Sequence, residues 1–225
     1  MKFISQYKFP FLVFILLALF TNCKTSTVSK TAEESKKPNF LFVLLDDQSF
    51  DAMQSSGRYS FLKTPNMQRL EDEGAKFNDY FVTQSICSPS RASFLTGTYP
   101  HIHGVNQNSP LLDPDWKTNK PYNELLQGAG YQTAHVGKIH MAHFKGTKHI
   151  RPGFDYWFSF VGQGVYFDPM VNDNGNEYKE KGYMTDILTD KAIDWLKEKR
   201  DPKKPFSLNL WHKAVHENHS PADRK

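Results

Sequence analysis

The chain is poor in cysteine, in net charge and in long apolar runs, and each shortage removes a class of explanation. Two cysteines, Cys23 and Cys87, stand among 225 residues, and each sits in a context that suits a separate chemical task rather than a disulfide staple. Lys2 and Lys8 are two of the 28 Lys and Arg; the remaining 26 face 24 Asp and Glu, a net charge of +2. A balance this even argues against nucleic acid as a partner. The apolar run from Phe9 to Phe20 is broken by Pro10 and is too short for a comfortable membrane span.

That run suits export instead. Lys2 and Lys8 form a positive leader, so residues 1–22 read as a signal peptide. Leu19-Phe20-Thr21-Asn22-Cys23 resembles a bacterial lipobox with Cys23 as the lipidated residue, although Phe20 and Asn22 depart from the usual Leu and small residue. The expectation is an exported, membrane-anchored lipoprotein, periplasmic or at the cell surface; an ordinarily cleaved signal and an uncleaved anchor are the alternatives. Residues 23–37 are Ser, Thr, Lys and Glu without a hydrophobic period, a polar tether. The folded domain is expected over 38–225.

Within it, Asn39 to Leu45 is continuously apolar after its first residue, which predicts a central parallel strand covered on both faces. Thr64-Pro65-Asn66 with Gly74 brackets a short helix, and Ala75 to Val82 alternates as a strand would. Cys87-Ser88-Pro89-Ser90-Arg91 then leads into Ala92-Ser93-Phe94-Leu95-Thr96-Gly97. Proline disfavours helix in the residue before it, so Cys87 is read as the last loop residue and Ser90 to Leu95 as the opening of a helix. His101 and His103 fall in a turn-rich segment and read as structural. A short helix is predicted over Pro121 to Gly128 with Leu125 and Leu126 inward, then a strand after Gly130 ending in Gly137-Lys138-Ile139-His140. Arg151 to Asp168 is aromatic and Gly-rich, and no roles are assigned there. Asn172 to Gly182 predicts a polar hairpin turning at Asp173-Asn174-Gly175. Met184 to Lys199 predicts an amphipathic helix with Leu188, Ala192, Trp195 and Leu196 inward and Thr185 or Asp186 capping its start. Phe206 to Trp211 predicts a further strand, followed by His212-Lys213-Ala214-Val215-His216.

Three places carry chemistry. Asp46 and Asp47 are adjacent carboxylates ending a buried strand, where they are costly unless a cation compensates. Hard oxygen donors favour Ca2+ or Mg2+ over zinc. Cys87 beside a helix start and Arg91 is either a low-pKa thiolate or an inert buried thiol. Its C-x3-R spacing differs from the C-x5-R cradle of Cys phosphatases. Lys138 and His140, after a glycine that allows close backbone approach, can present two donors to one anion.

Taken together, C-S-P-S-R-A-S-F-L-T-G, P-N-F-L-F-V-L-L-D-D-Q and G-Y-Q-T-A-H-V-G-K-I-H fall in family order, and the chain resembles the type I, formylglycine-dependent sulfatases of the alkaline-phosphatase-like superfamily. The resemblance implies an α/β core with a mostly parallel central sheet and helices on both faces. It implies that a maturation enzyme oxidises Cys87 to formylglycine, whose hydrate supplies one hydroxyl to attack sulfur and another to expel sulfate. Asp46, Asp47 and residue 87 would hold the metal, and Arg91 would steady the diol. Lys138, His140 and His216 would neutralise sulfate or protonate the leaving alcohol. His219 is a second registration for the last of these. The implied substrate is a sulfate ester, with sulfated glycan favoured for a surface lipoprotein. The family's later half contributes another metal Asp and a second Lys, and no counterpart follows His216. A half-built site with an exposed sheet face, in a fragment or a truncated product, is therefore expected. The alternatives are a non-catalytic sulfatase-like lipoprotein and a phosphate or phosphonate monoester hydrolase of the same superfamily.

Overall fold

The computed structural model describes residues 37–142 and 150–217. The export segment, Cys23 and His219 lie outside the described residues. No described helix is long and apolar enough to cross a membrane. Six strands form one sheet: β1 (Phe40–Leu44), β2 (Gln132–Lys138), β3 (Tyr156–Phe160), β4 (Met170–Asp173), β5 (Asn176–Lys179) and β6 (Phe206–Trp211), in the order β1-β6-β2-β3-β4-β5. The pairs β1/β6, β6/β2 and β2/β3 are parallel, while β4 and β5 add an antiparallel hairpin. That hairpin turns where Asn174 and Gly175 both take positive φ, as a two-residue turn of primed type requires.

Register separates the sheet into two faces with a period of two residues. Leu41, Leu208, Ala134 and Tyr156 stand in one row, and Val43, Leu210, Val136 and Phe158 in the next. The helix α5 (Met184–Asp194), extended by a π turn over Trp195–Lys199, covers this face with Leu188, Ala192 and Trp195. Neither Thr185 nor Asp186 caps it; Tyr183 holds the cap position without a side-chain hydrogen bond. On the opposite face Phe42, Trp211 and Trp157 pack with α2 (Cys87–Thr96) through Ala92 and Leu95. The remaining helices, α1 (Pro65–Glu73), α3 (Pro100–His103) and α4 (Tyr122–Gly128), are short. The product is a helix–sheet–helix sandwich.

Three further expectations change. The apolar run of β1 is parallel but stands at the sheet edge among the described residues, because only β6 pairs with it. The stripe of α5 packs over β2, β3 and β6 and leaves Leu41 and Val43 at 54% and 48% exposure. Ala75 to Val82 forms no strand; alternation without a described partner segment makes no ladder, and Phe77, Tyr80, Phe81 and Val82 are exposed. Leu125 points outward, because on α4 it is Asn123 that turns inward, with its amide 3.4 Å from the Ser207 hydroxyl.

The second face is unusually polar for a core. His135 is fully buried, stacked on Trp157 at 4.6 Å between ring centres and edge-on to Trp211 at 5.3 Å. Burial holds its pKa down at about 3, despite a backbone hydrogen bond to the Gly137 carbonyl. Two register positions on, Gly137 lies opposite Trp211 with φ +130°, and a Cβ there would meet the Trp211 carbonyl oxygen at 1.9 Å. Only glycine fits.

Two consequences are measurable. Gly137→Ala is expected to abolish soluble folding, since the obstacle is backbone on a central strand, read by expression and circular dichroism. His135 folds neutral and unfolds with an ordinary value of 6.5, so its contribution is full above pH 6.5 and declines as pH falls toward 3. Relative to His135→Phe, wild-type stability in urea should fall by about 1.4 kcal/mol per pH unit across that window.

Candidate active site

The carboxyl ends of β1, β6, β2 and β3 are neighbours in the sheet, and the polar residues beyond them converge where α/β sheets hold ligands. Asp46 follows β1, its N–H donating to the Ala214 carbonyl at 2.9 Å, and its side chain is buried. Lys138 ends β2, fully buried, and its ammonium donates to Asp46 Oδ2. Arg91, one turn into α2, is buried over the Trp211 ring at 5.3 Å. Its Nη1 donates to the Lys138 carbonyl at 2.8 Å and its Nη2 lies 3.6 Å from Asp46 Oδ1. Burial opposes ionisation of Asp46, but Arg91 and Lys138, helped by the Lys138 hydrogen bond and by His216, hold its carboxyl below the usual range. Burial also lowers the Arg91 pKa, partly offset by Asp46.

Cys87 is half-buried at the first position of α2, not in the loop before it. Pro89 causes no break because it lies in the first turn, where its missing N–H has no helical partner to lose. Ser88, which a following proline would bias away from helix, is held from outside: its N–H donates to Asn108 Oδ1 at 2.9 Å and its hydroxyl to the His140 carbonyl at 2.5 Å. The thiol lies 3.6 Å from Asp46 Oδ1 and receives a contact from Lys138 Nζ at 3.6 Å.

His216 reaches the same point from the loop after β6. Its Nε2 is 3.3 Å from Asp47 Oδ2, and its ligand atom, with those of Asp46 and Cys87, falls within a group spanning 4.8 Å. Asp47 is exposed, with a φ of 57°, and stands at the mouth rather than in that group. His140 is buried with a φ of 58°; its carbonyl anchors Ser88, and its ring stands outside the group. A cleft of about 540 Å³ opens over Asp46, Asp47, Cys87 and Arg91.

Sequence reasoning missed Gln163 and Tyr166. Gln163 Oε1 accepts from Lys138, and the Tyr166 hydroxyl donates to the His216 carbonyl at 2.6 Å. The available signal was Gly162-Gln163-Gly164 directly after an aromatic strand. His103, read as structural, is so: its Nδ1 accepts from the Val105 N–H at 3.1 Å, and Nε2 lies 3.0 Å from Ser93 Oγ.

The Sulfatase family model matches residues 38–224. The chain belongs to the sulfatase family. Its α/β core is the alkaline-phosphatase-like one of sulfatases. Among curated sulfatases it is 40% identical to N-acetylglucosamine-6-O-sulfatase of Bacteroides thetaiotaomicron, over 93% of this chain and 36% of that protein. It is 33% identical to arylsulfatase J of Mus musculus, over 81% of this chain and 33% of that protein. A structure solved with its substrate D-glucosamine-2-N,6-O-disulfate superposes with a TM-score of 0.73 at 38% identity, covering 83% of this chain and 36% of the other. The chain thus spans about a third of the length of these sulfatases.

The buried charges test the packing. Asp46→Asn leaves Lys138 and Arg91 without their anion, and should cost about 3–5 kcal/mol in urea denaturation of the metal-free protein. Asp47→Asn, at the exposed mouth, should change stability by less than about 0.5 kcal/mol.

Proposed function

We propose that this sulfatase hydrolyses sulfate monoesters of sulfated glycans through a formylglycine made from Cys87. The observation that carries the reading is the meeting of Cys87, Asp46, Lys138 and His216 beyond four adjacent strand ends. Two buried cations, Arg91 and Lys138, face one buried carboxylate there, with Asp47 out at the mouth, so the buried end of the site offers positive charge to an anion such as sulfate. Relatives solved or named with a glucosamine disulfate or with N-acetylglucosamine-6-O-sulfatase activity support a glycan as substrate.

The thiol sulfur of Cys87 stands where an oxygen of formylglycine would be. The thiol contacts of Cys87 with Asp46 and the Lys138 ammonium, each at 3.6 Å, support this reading, since a formylglycine oxygen there would meet the same two groups. Asp46 and a formylglycine at position 87 would offer converging oxygen donors, and Asp47, at the mouth, would turn in to complete the set for a hard cation, Ca2+ or Mg2+. Such an ion supplies charge neutralisation and lowers the pKa of an adjacent hydroxyl. Arg91 fixes Asp46 and the end of β2 at once. Lys138 offers its charge to a sulfate oxygen, while His216 and His140 are the groups for proton transfer to the leaving alcohol. Outside the described residues, lipid on Cys23 would tether the enzyme to the membrane of an exporting bacterium, and a maturation enzyme would act on Cys87.

The test is the mass of the peptide carrying residue 87, taken from the native host. A loss of about 18 Da relative to cysteine is expected, the thiol-to-aldehyde change. Cysteine left intact in a host that matures a control sulfatase would overturn the reading. Replacing Cys23 with Ala should move the protein from the membrane to the soluble fraction.

A further inference from the structure

The loop after β3 carries a residue that the motifs do not mention. It runs Val161-Gly162-Gln163-Gly164, with the Gly164 N–H donating to the Val161 carbonyl at 3.1 Å. Gly162 and Gly164 have φ of +58° and +65°, and a Cβ at Gly164 would meet the Phe160 ring at 2.4 Å. A turn so constrained holds Gln163 in one place, between Lys138 and His216.

The chemistry of the neighbours then orients its amide. An ammonium can only donate, so Oε1 must face Lys138. The amide NH2 therefore faces His216, whose Nε2 lies 3.4 Å away. The other ring nitrogen of His216 is 2.9 Å from the Glu217 carbonyl, an acceptor that only an N–H satisfies. A neutral ring with its proton on Nδ1 accepts from the Gln163 amide through Nε2, the nitrogen that also lies 3.3 Å from Asp47 Oδ2. One neutral side chain thus ties the cation at the end of β2 to the imidazole after β6.

We infer that Gln163 is a positioning residue: its carbonyl holds the Lys138 ammonium over Cys87 and its amide nitrogen aims Nε2 of His216. The inference rests on the proposed roles of Lys138 and His216 in meeting the sulfate ester. Lys138 divides its donors among Asp46, Gln163 and Cys87. Without the neutral acceptor the ammonium loses its hold on that side and is drawn toward Asp46 alone. A carboxylate at the same position would keep the hold on Lys138.

The experiment reads the side-chain ammonium signal of Lys138 by NMR in this chain labelled with 15N-lysine, assigned by its disappearance in Lys138→Arg. The wild type should show a slowly exchanging ammonium signal; Gln163→Met should lose it, and Gln163→Glu should restore it, with dispersed backbone spectra in both variants. A signal absent from the wild type, unchanged in Gln163→Met, or lost in both variants with the backbone intact would overturn the inference. In the full-length enzyme, Gln163→Met should lower kcat by about 100-fold with KM within about threefold, the pattern of misplaced groups. The NMR readout needs no substrate or modified cysteine. Failure of the hydrolase reading would show separately, as unmodified Cys87 and no sulfate release by the wild type.

Discussion

The structure turns on a buried carboxylate that cannot stand alone. Asp46 is drawn under the protein surface by β1 and by its backbone bond to Ala214, and an ionised carboxylate there demands positive partners. Lys138 and Arg91 answer from different elements, the end of β2 and the second turn of α2. Because Arg91 also bonds the Lys138 carbonyl, the three residues lock strand β1, strand β2 and helix α2 into one arrangement. Cys87 is placed by that lock, since it begins the helix that Arg91 fastens.

The sheet makes the lock possible. Four parallel strands end side by side, so residues more than 150 positions apart in sequence arrive at a single point. Close fit between β2 and β6 depends on Gly137 lying opposite Trp211, while Trp211 in turn packs against His135 and under Arg91. Packing and chemistry share residues here. The same Trp211 that fills the core face presents its ring to a guanidinium of the site, an arrangement that keeps a buried cation in contact with polarisable electron density.

An apolar core on one face and a polar-tolerant one on the other follow from register. Ala134, Val136, Tyr156, Phe158 and Leu208 lie under α5, whereas His135, Asn209 and Trp157 line the face that leads to the site. The Asn209 side chain accepts from the Tyr122 hydroxyl at 2.5 Å, so a polar residue in a central strand is paid for by a hydrogen bond. Edge strand β1 shares only one of these faces with a helix, which leaves Leu41 and Val43 exposed among the described residues.

Much of this was legible from local signals. The strands ending at Leu44, Lys138 and Trp211, the hairpin at Asn174-Gly175 and the stripe of α5 follow from apolar runs, turn chemistry and helical period, which are properties of neighbouring residues. The motifs around Asp46, Cys87 and Lys138 were legible too, because short spacings and glycine constraints are written directly in sequence. Tertiary structure decided the rest. An apolar run does not say whether its strand is central or edge, so β1 was misplaced; alternation does not supply a partner, so Ala75 to Val82 formed no ladder. Cys87 entered the helix because Asn108 and His140 hold Ser88 from outside it. Gln163 joined the site through contacts 25 and 53 positions away in sequence, a separation over which no local pattern carries information. The sequence by itself determined which residues bear charge, thiol and conformational freedom; only the folded chain decided which of them meet, because meeting depends on strand order and register.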